Sequence, residues 1–323
     1  MKKLPSIYSE VESNIIDKIF KNNFDELSPF FFKLMQEWTI NAYNLFRDID
    51  KYSILIYLIN KQFVFYRRNN LNITYDDFYK DKSLEVERIN LIKIAIDLDI
   101  PKESVRRKII ELEKMGIIKK IGKKILIDRS AYVSTQPENN LRNLSNLLSV
   151  FSKILKREKI IKNELNQREI NALIKQNFSF CWYQFYKFLF PYCLRWKKYF
   201  GDLEFFALLA TIILNSNSKI KKNELKLKGI NSYLEKWRSK IINQQTRGIN
   251  AMSLSEITGI PRATVIRKLK VLNKNKFISL DKNKLINLNL SNQNYRDMVK
   301  IQDLNIDSIN IFIKRTFNQI NLS

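Results

Sequence analysis

The stretch SLSEITGIPRATVIRKLKVL, residues 253–272, determines how this chain of 323 residues is organised. It contains two short apolar runs separated by a break, where Gly259 suits a backbone position with positive φ and Pro261 suits the first turn of a helix. After the break, apolar residues recur at i, i+4 and i+7, as on the buried face of a helix. These residues are Val265, Leu269 and Leu272. The pattern therefore predicts two short helices joined by a tight turn.

The same pattern occurs twice, because residues 89–128 align with residues 249–288 without a gap. We refer to these segments as the first repeat and the second repeat. Arg107 of the first repeat aligns with Arg267 of the second, and most other positions match in polarity. In the first repeat Asp99 takes the place of the turn glycine, and aspartate is among the few residues that tolerate a left-handed backbone. A gapless repeat of about 40 residues indicates one supersecondary unit used twice.

Each repeat continues with two short apolar runs on either side of a polar, lysine-containing break, which predicts a β-hairpin. Helix, turn, helix and hairpin in this order resemble the winged helix-turn-helix domain of bacterial transcription regulators, including the multiple-antibiotic-resistance (MarR-like) family. The stretches LSEITGIPRATVIRKLKVLNKNKFI and DIPKESVRRKIIELEKMGII carry the resemblance. Lys276 departs from the pattern, because the first repeat has Gly116 at this helix-to-strand turn.

The resemblance implies that the second helix of each repeat, residues 102–115 and 262–275, enters a major groove of double-stranded DNA. Arginine pairs bidentately with guanine, whereas hydroxyl groups and lysines more often bind phosphate. The hairpin lysines would lie along the DNA backbone or in the minor groove. The predicted DNA-binding residues are Lys102, Ser104, Arg106, Arg107, Lys119, Lys120, Lys123, Lys124, Arg262, Thr264, Arg267, Lys270, Lys282 and Lys284.

The charge of the chain is concentrated in the repeats. The formal net charge is +25, but the abundant lysine, asparagine and isoleucine indicate an AT-rich genome, so the distribution carries more weight than the total. Residues 101–128 contain nine basic and four acidic residues, a net charge of +5. Residues 261–288 contain eight basic residues and one acidic residue, a net charge of +7. Such a concentration of positive charge is what a phosphate-facing surface requires.

Aromatic residues form a second pattern. Residues 178–200 hold 12 of the 39 aromatic side chains, and the spacing of the largest ones predicts a helical stripe that Pro191 is expected to kink or interrupt. The stripe aligns with residues 31–45 at an offset of 154, so the duplication extends beyond the two repeats. The stripe predicts packing between the halves of the chain or between protomers. A homodimer through the aromatic helices and an unidentified small-molecule effector are therefore left open.

The predicted fold is mainly α, with two winged helix-turn-helix domains, each carrying a small β-hairpin, joined and flanked by aromatic-rich helices in a pseudo-two-fold duplication. A charged helix is expected near residues 224–244. The predicted segments are a helical segment at 1–84, the first winged helix at 85–135, a helical linker with the aromatic segment at 136–245, the second winged helix at 246–291 and C-terminal helices at 292–323.

The sequence lacks the residues that most catalytic sites use. It has no histidine, which removes the commonest general base and the commonest metal ligand. Cys181 and Cys193 lie in the aromatic region and are predicted to be buried free thiols in a reducing cytosol. No phosphate-binding glycine motif occurs. We expect no enzymatic activity, no cofactor and no metal. The apolar runs are too short or too interrupted for membrane spans, and no signal peptide is recognised, so a cytoplasmic, nucleoid-associated protein is expected.

The leading hypothesis is a sequence-specific regulator of transcription that binds double-stranded DNA with two reading heads in one chain. If the heads lie as in a dimer, their half-sites are about one helical turn apart, roughly 34 Å. Two alternatives stay open. One is a plasmid- or phage-type replication initiator, which also resembles paired winged helices and would bind tandem origin sites. The other is a winged-helix scaffold for protein partners, whose weak DNA binding would depend little on salt.

Overall fold

The structure is a computed structural model that describes residues 6–122, 124–131, 137–217 and 248–322. In these residues it contains thirteen α-helices and five short β-strands, so the fold is mainly α, as the sequence predicts. The charged segment near residues 224–244 lies outside the described residues.

With two exceptions, the helices and strands follow one another in the same order in the two halves of the chain. The first half contains α1 (Ser13–Asn22), α2 (Phe24–Phe46), α3 (Ile49–Arg68), α4 (Tyr75–Lys80), β1 (Ser83–Val86), α5 (Leu91–Leu98), α6 (Lys102–Lys114), β2 (Ile118–Ile121), β3 (Lys124–Asp128) and α7 (Glu138–Arg157). The second half contains α8 (Gln167–Gln176), α9 (Phe178–Phe200), α10 (Leu203–Asn217), α11 (Ala251–Thr258), α12 (Arg262–Lys274), β4 (Ile278–Leu280), β5 (Ile286–Leu288) and α13 (Asn292–Leu322). The exceptions are α4 and β1, which have no counterpart among the described residues of the second half.

Helices of the two halves have matching bounds and matching neighbours. The bounds of α8 and α9 lie 154 residues after those of α1 and α2, and the bounds of α11 and α12 lie 160 residues after those of α5 and α6. In the first half α2 packs against α7, and in the second half α9 packs against α13. Between the halves, α3 packs against α9 and α10 packs against α2. Each half therefore contributes helices to the packing of the other.

The aromatic stripes of α2 and α9 meet in the centre of the molecule. Phe31 lies 5.7 Å from Tyr192 and 6.2 Å from Phe188 between ring centroids, and neither Phe31 nor Tyr192 has any exposed surface. Burial of one such side chain stabilises the fold by about 2–3 kcal/mol relative to an exposed one. The stripe is thus buried within one chain, between its two halves. Among the described helices, none combines the length and the apolar character needed to cross a membrane.

Of the kink or interruption expected at Pro191, the interruption does not occur, because α9 continues from Phe178 to Phe200 through this residue. Pro29 likewise lies inside α2. A proline inside a helix removes one hydrogen bond and costs about 3 kcal/mol. In α9 the neighbouring Leu189 and Tyr192 are completely buried. Packing of the buried face outweighs the local cost, as it does for most helices in folded proteins.

The sheet of the first repeat is larger than predicted. Besides the hairpin of β2 and β3, a third strand β1 pairs antiparallel with β3, with Leu84 opposite Ile127. Leu84 and Ile127 are both buried, so the additional strand extends the apolar face of the sheet. The strand begins at Ser83, two residues before the predicted boundary at residue 85. Its four residues are too short for a periodicity signal.

The two hairpins differ by one residue, which corrects the gapless alignment at its end. In the first repeat Lys120 pairs with Ile125, whereas in the second repeat the equivalent Leu280 pairs with Ile286. The turn of the second repeat is therefore one residue longer, and Lys284 lies in this turn with a φ of 58°. In the first repeat Lys119 and Lys120 belong to strand β2 and not to the lysine-containing break between the two apolar runs.

Candidate nucleic-acid interface

The second helices of the two repeats, α6 and α12, present the same surface to solvent. Residues 101–110 and 261–270 have identical burial classes at all ten positions. In both helices an apolar stripe faces inward, with Val105 and Val265 having no exposed surface. Arg107 and Arg267 are exposed. Both helices therefore direct a cationic face away from the protein core.

The turns before and after these helices also have the same backbone in both repeats. Asp99 ends α5 with a φ of 50°, and Gly259 ends α11 with a φ of 71°. After the second helix, Lys276 has a φ of 57° where Gly116 has a φ of 73°. Lys276 thus departs from the first repeat in residue type but adopts the same left-handed conformation.

A buried lysine in each of these helices attaches the repeat to the helical body. Lys108 of α6 donates a hydrogen bond to the carboxylate of Asp48, which precedes α3. Lys268 of α12 lies 2.5 Å from Asp202, at the start of α10, and 3.2 Å from Glu204. Sequence reasoning missed this role. The signal was present, since both lysines are identical between the repeats and both aspartates align at the offset of 154.

Asp48 is held in its ionised form by these contacts. Burial raises the pKa of Asp48. Hydrogen bonds from the Lys108 ammonium and the Lys51 N–H, together with the charges of both lysines, lower this pKa by a larger amount. The net effect is a pKa below the ordinary value of 3.8. Asp48 also caps α3, because its side chain accepts the Lys51 N–H at 3.0 Å. One carboxylate therefore both starts a body helix and fixes a repeat.

Each repeat is also contacted by the opposite half of the chain. Arg47, at the end of α2, donates a hydrogen bond of 2.6 Å to the carbonyl of Gly259 in the second repeat. Lys197 of α9 forms an ion pair of 2.9 Å with Asp50 and lies 3.4 Å from the Leu98 carbonyl in the first repeat. The position of each repeat thus depends on a cation from the other half.

In the first repeat most of the predicted DNA-binding cations are paired with carboxylates of the protein. Four of these pairs are short, and they join Arg106 to Glu103 at 2.8 Å, Lys119 to Asp128 at 2.6 Å, Lys120 to Glu113 at 2.6 Å and Lys124 to Glu85 at 3.0 Å. Arg107 lies 3.9 Å from Glu111, whose closer partner is Lys51 at 2.6 Å. Lys102 is exposed, and Ser104 is half-buried. Lys123 lies outside the described residues.

Two of these carboxylates, Asp128 and Glu103, have pKa values lowered by their partners. Hydrogen bonds from Lys119 and then from Ser130 lower the pKa of Asp128 to about 2. The hydrogen bond from Arg106 and its charge lower the pKa of Glu103. A negative charge therefore stays beside Lys119 and Arg106 at neutral pH.

The second repeat has no such pairs within the described part of the chain. Its predicted DNA-binding cations are exposed, and no carboxylate of the described residues lies within the 4.0 Å of an ion pair. These cations are Arg262, Arg267, Lys270, Lys282 and Lys284. Thr264 is half-buried in the first turn of α12, as Ser104 is in α6. The structure thus brings together a hydroxyl, two arginines and a lysine on one helix surface.

An apolar cavity of about 40 Å³ lies among α2, α9, α10 and α13. Its wall includes Phe32, Trp196, Phe206, Ala210, Leu290 and Gln302. The amide nitrogen of Gln302 is buried and has no hydrogen-bond partner. Nothing in the sequence indicated this donor, because Gln302 occurs in an ordinary helical pattern.

The two cysteines lie away from this surface, in α9. Burial raises the pKa of both thiols, Cys181 and Cys193, well above the ordinary value, so they stay protonated at neutral pH. A protonated, buried thiol has little reactivity as a nucleophile.

No protein-family model, curated protein or solved structure matches this chain.

Proposed function

We propose that this chain is a sequence-specific double-stranded DNA-binding regulator of transcription, in which two winged helix-turn-helix units form a pseudo-dimer. The observation that carries the proposal is the exposed cationic face of α12, where Arg262, Arg267 and Lys270 have no carboxylate partner among the described residues. Neutralisation of phosphates by such cations releases counterions, which drives association with duplex DNA. The matching surface of α6 supports a second reading helix.

In the proposed complex α6 and α12 enter successive major grooves by their N-terminal ends. Arg262 and Thr264 lie in the first turn of α12, and Lys102 and Ser104 lie in the first turn of α6. Arginine at this position suits bidentate pairing with guanine, and the hydroxyls suit phosphate. The hairpin lysines, Lys282 and Lys284, would contact the backbone beside the groove. The heads differ in sequence, so the preferred site need not be palindromic.

The experiment that tests the proposal is selection of bound sequences from a random duplex library at two salt concentrations. We expect one enriched motif and a steep loss of affinity with salt, because every phosphate contact contributes about −0.9 to the slope of log K against log salt. Enrichment of tandem repeats of one short site would instead favour a replication initiator. No motif and no salt dependence would refute DNA binding.

A point variant adds a test of the docking geometry. We expect Arg267→Ala to weaken binding to the selected duplex by about 1–3 kcal/mol. Lys153→Ala is the matched control, because Lys153 is also an exposed cation but belongs to α7, which packs on α2 and α8. Equal affinities of the two variants would show that α12 does not contact the DNA.

The proposal leaves room for an effector and for further assembly. The cavity beside Trp196 and Gln302 would accept a small apolar molecule that carries one hydrogen-bond acceptor, and such a molecule would lie among α2, α9, α10 and α13. Quenching of tryptophan fluorescence in a screen of apolar compounds measures this binding. A homodimer stays a prediction, and sedimentation at several concentrations measures it.

A further inference from the structure

The two repeats differ in the charges that surround their reading helices. Each short ion pair of the first repeat uses a carboxylate that belongs to that repeat or to the adjoining strand β1. On the second helix itself, Glu103, Glu111 and Glu113 contribute three negative charges. Four cations of this surface are therefore already paired with carboxylates before any ligand arrives.

The second repeat has neutral residues at the corresponding positions. Ala263, Val271 and Asn273 align with Glu103, Glu111 and Glu113 at the offset of 160. The Asn289 N–H binds the Phe277 carbonyl as the Asp128 N–H binds the Ile117 carbonyl, so Asn289 takes the place of Asp128. Lys270 in turn replaces Ile110, which adds a cation to the face of α12.

From this difference we infer that the second repeat provides most of the affinity for DNA, and that the first repeat is a weaker head restrained by its own carboxylates. The inference rests on the proposed function. A cation that keeps its carboxylate adds no net positive charge at a phosphate, so it contributes little to counterion release. If the cation exchanges its carboxylate for a DNA phosphate, the released carboxylate stays close to the DNA, and its negative charge repels the phosphates.

The ion pairs of the first repeat are weak enough for favourable contacts with a matching DNA sequence to replace them. Glu103 and Arg106 are both more than half exposed, and exposed ion pairs contribute about 0–1 kcal/mol. The second repeat therefore anchors the chain on DNA, and the first repeat adds contacts where the local sequence compensates for the loss of its ion pairs. Discrimination between related sites then depends mainly on the half-site read by the first repeat.

The test compares two double variants. The first-repeat variant carries Arg106→Ala and Arg107→Ala, and the second-repeat variant carries Arg262→Ala and Arg267→Ala. Binding to the selected duplex is measured by fluorescence anisotropy between about 50 and 300 mM salt, roughly a sixfold range. We expect the second-repeat variant to lose at least tenfold in affinity, and to lose about 0.9 in salt slope for each removed arginine that neutralises a phosphate. The first-repeat variant should lose less than threefold. Circular dichroism and urea midpoints verify that both variants fold.

A third variant tests the carboxylates directly. Glu103→Gln, Glu113→Gln and Asp128→Asn together remove three negative charges with little change in shape, and we expect them to tighten binding and to steepen the salt slope. Equal losses for the two arginine variants, or unchanged binding by the carboxylate variant, would overturn the division between the repeats while leaving DNA binding intact. If the unaltered chain does not bind duplex DNA, the proposed function fails and this inference fails with it.

Discussion

The buried ion pairs beneath α6 and α12 make a quantitative prediction, because they differ in the number of carboxylates. Lys108 has Asp48 as its carboxylate partner among the described residues, whereas Lys268 has both Asp202 and Glu204. The side chains of Lys108 and Lys268 are only 11% and 7% exposed. A lysine left in such a place without a counterion destabilises the fold strongly.

We therefore expect Asp48→Asn to cost more stability than Asp202→Asn. Removing one partner of a fully buried pair costs about 3–5 kcal/mol, and partial exposure of Asp48 reduces the expected cost to about 2–3 kcal/mol. Asp202 is more exposed and Glu204 remains beside Lys268, so that substitution is expected to cost about 1 kcal/mol. Asparagine retains the helix cap that both aspartates provide at 3.0 Å, which isolates the ion pair.

The assay is urea unfolding at neutral pH, monitored by tryptophan fluorescence. Variants are compared by the free energy of unfolding, provided that the dependence on urea is unchanged. Asp202→Asn combined with Glu204→Gln should restore the full penalty, because Lys268 then has neither carboxylate partner. If Asp202→Asn is as damaging as Asp48→Asn and the added Glu204→Gln changes nothing, the counterion argument is wrong.

Two further predictions concern acid and the turn of the second repeat. Because the pKa of Asp48 is lowered in the folded chain, its contribution to stability is complete above its ordinary pKa and is lost as the pH falls through the folded value. The difference in stability between the wild type and Asp48→Asn should therefore be constant from about pH 7 to 5 and shrink below about pH 4, as acid titrations followed by urea unfolding would measure. Gly259→Ala should cost more than the roughly 1 kcal/mol of strain expected for Gly122→Ala, since both glycines have positive φ but only at Gly259 would a Cβ meet another atom, 2.0 Å from Asn44. Adding Asn44→Ala should reduce the cost to that of Gly122→Ala, and thermal unfolding that shows equal costs without it would contradict the contact.

The sequence was informative wherever a periodic apolar face determined the structure. Helices α6 and α12 begin at Lys102 and Arg262, as the turn prolines predict, because each prediction rested on local geometry. The pairing of cations in the first repeat could not be predicted in the same way. Glu85 lies 39 residues from Lys124, and Asp128 lies nine residues from Lys119 across a hairpin. Contacts between such distant residues depend on strand register, which the alignment misplaced by one residue in the second repeat.

The continuity of α9 shows the other limit of local reasoning. Pro191 correctly indicates a local cost, but the packing that offsets this cost involves residues far away in the sequence, such as Phe31 against Tyr192. The same holds for Lys108, which reads as one more exposed cation until Asp48 is brought beside it. Local rules indicate the free-energy cost of a residue in a helix, whereas the contacts that compensate this cost are visible only in the folded structure.

The crossed contacts made by Arg47 and Lys197 have a consequence for how this molecule could be divided. Arg47 reaches Gly259 over 212 positions of chain, and Lys197 reaches Leu98 over 99. A fragment that ended between the halves would lose the cation that steadies its own repeat as well as the core helix that covers it. Neither half is therefore expected to be stable without the other. Cleavage of the chain between the halves should leave the two fragments associated rather than release two independently folded proteins.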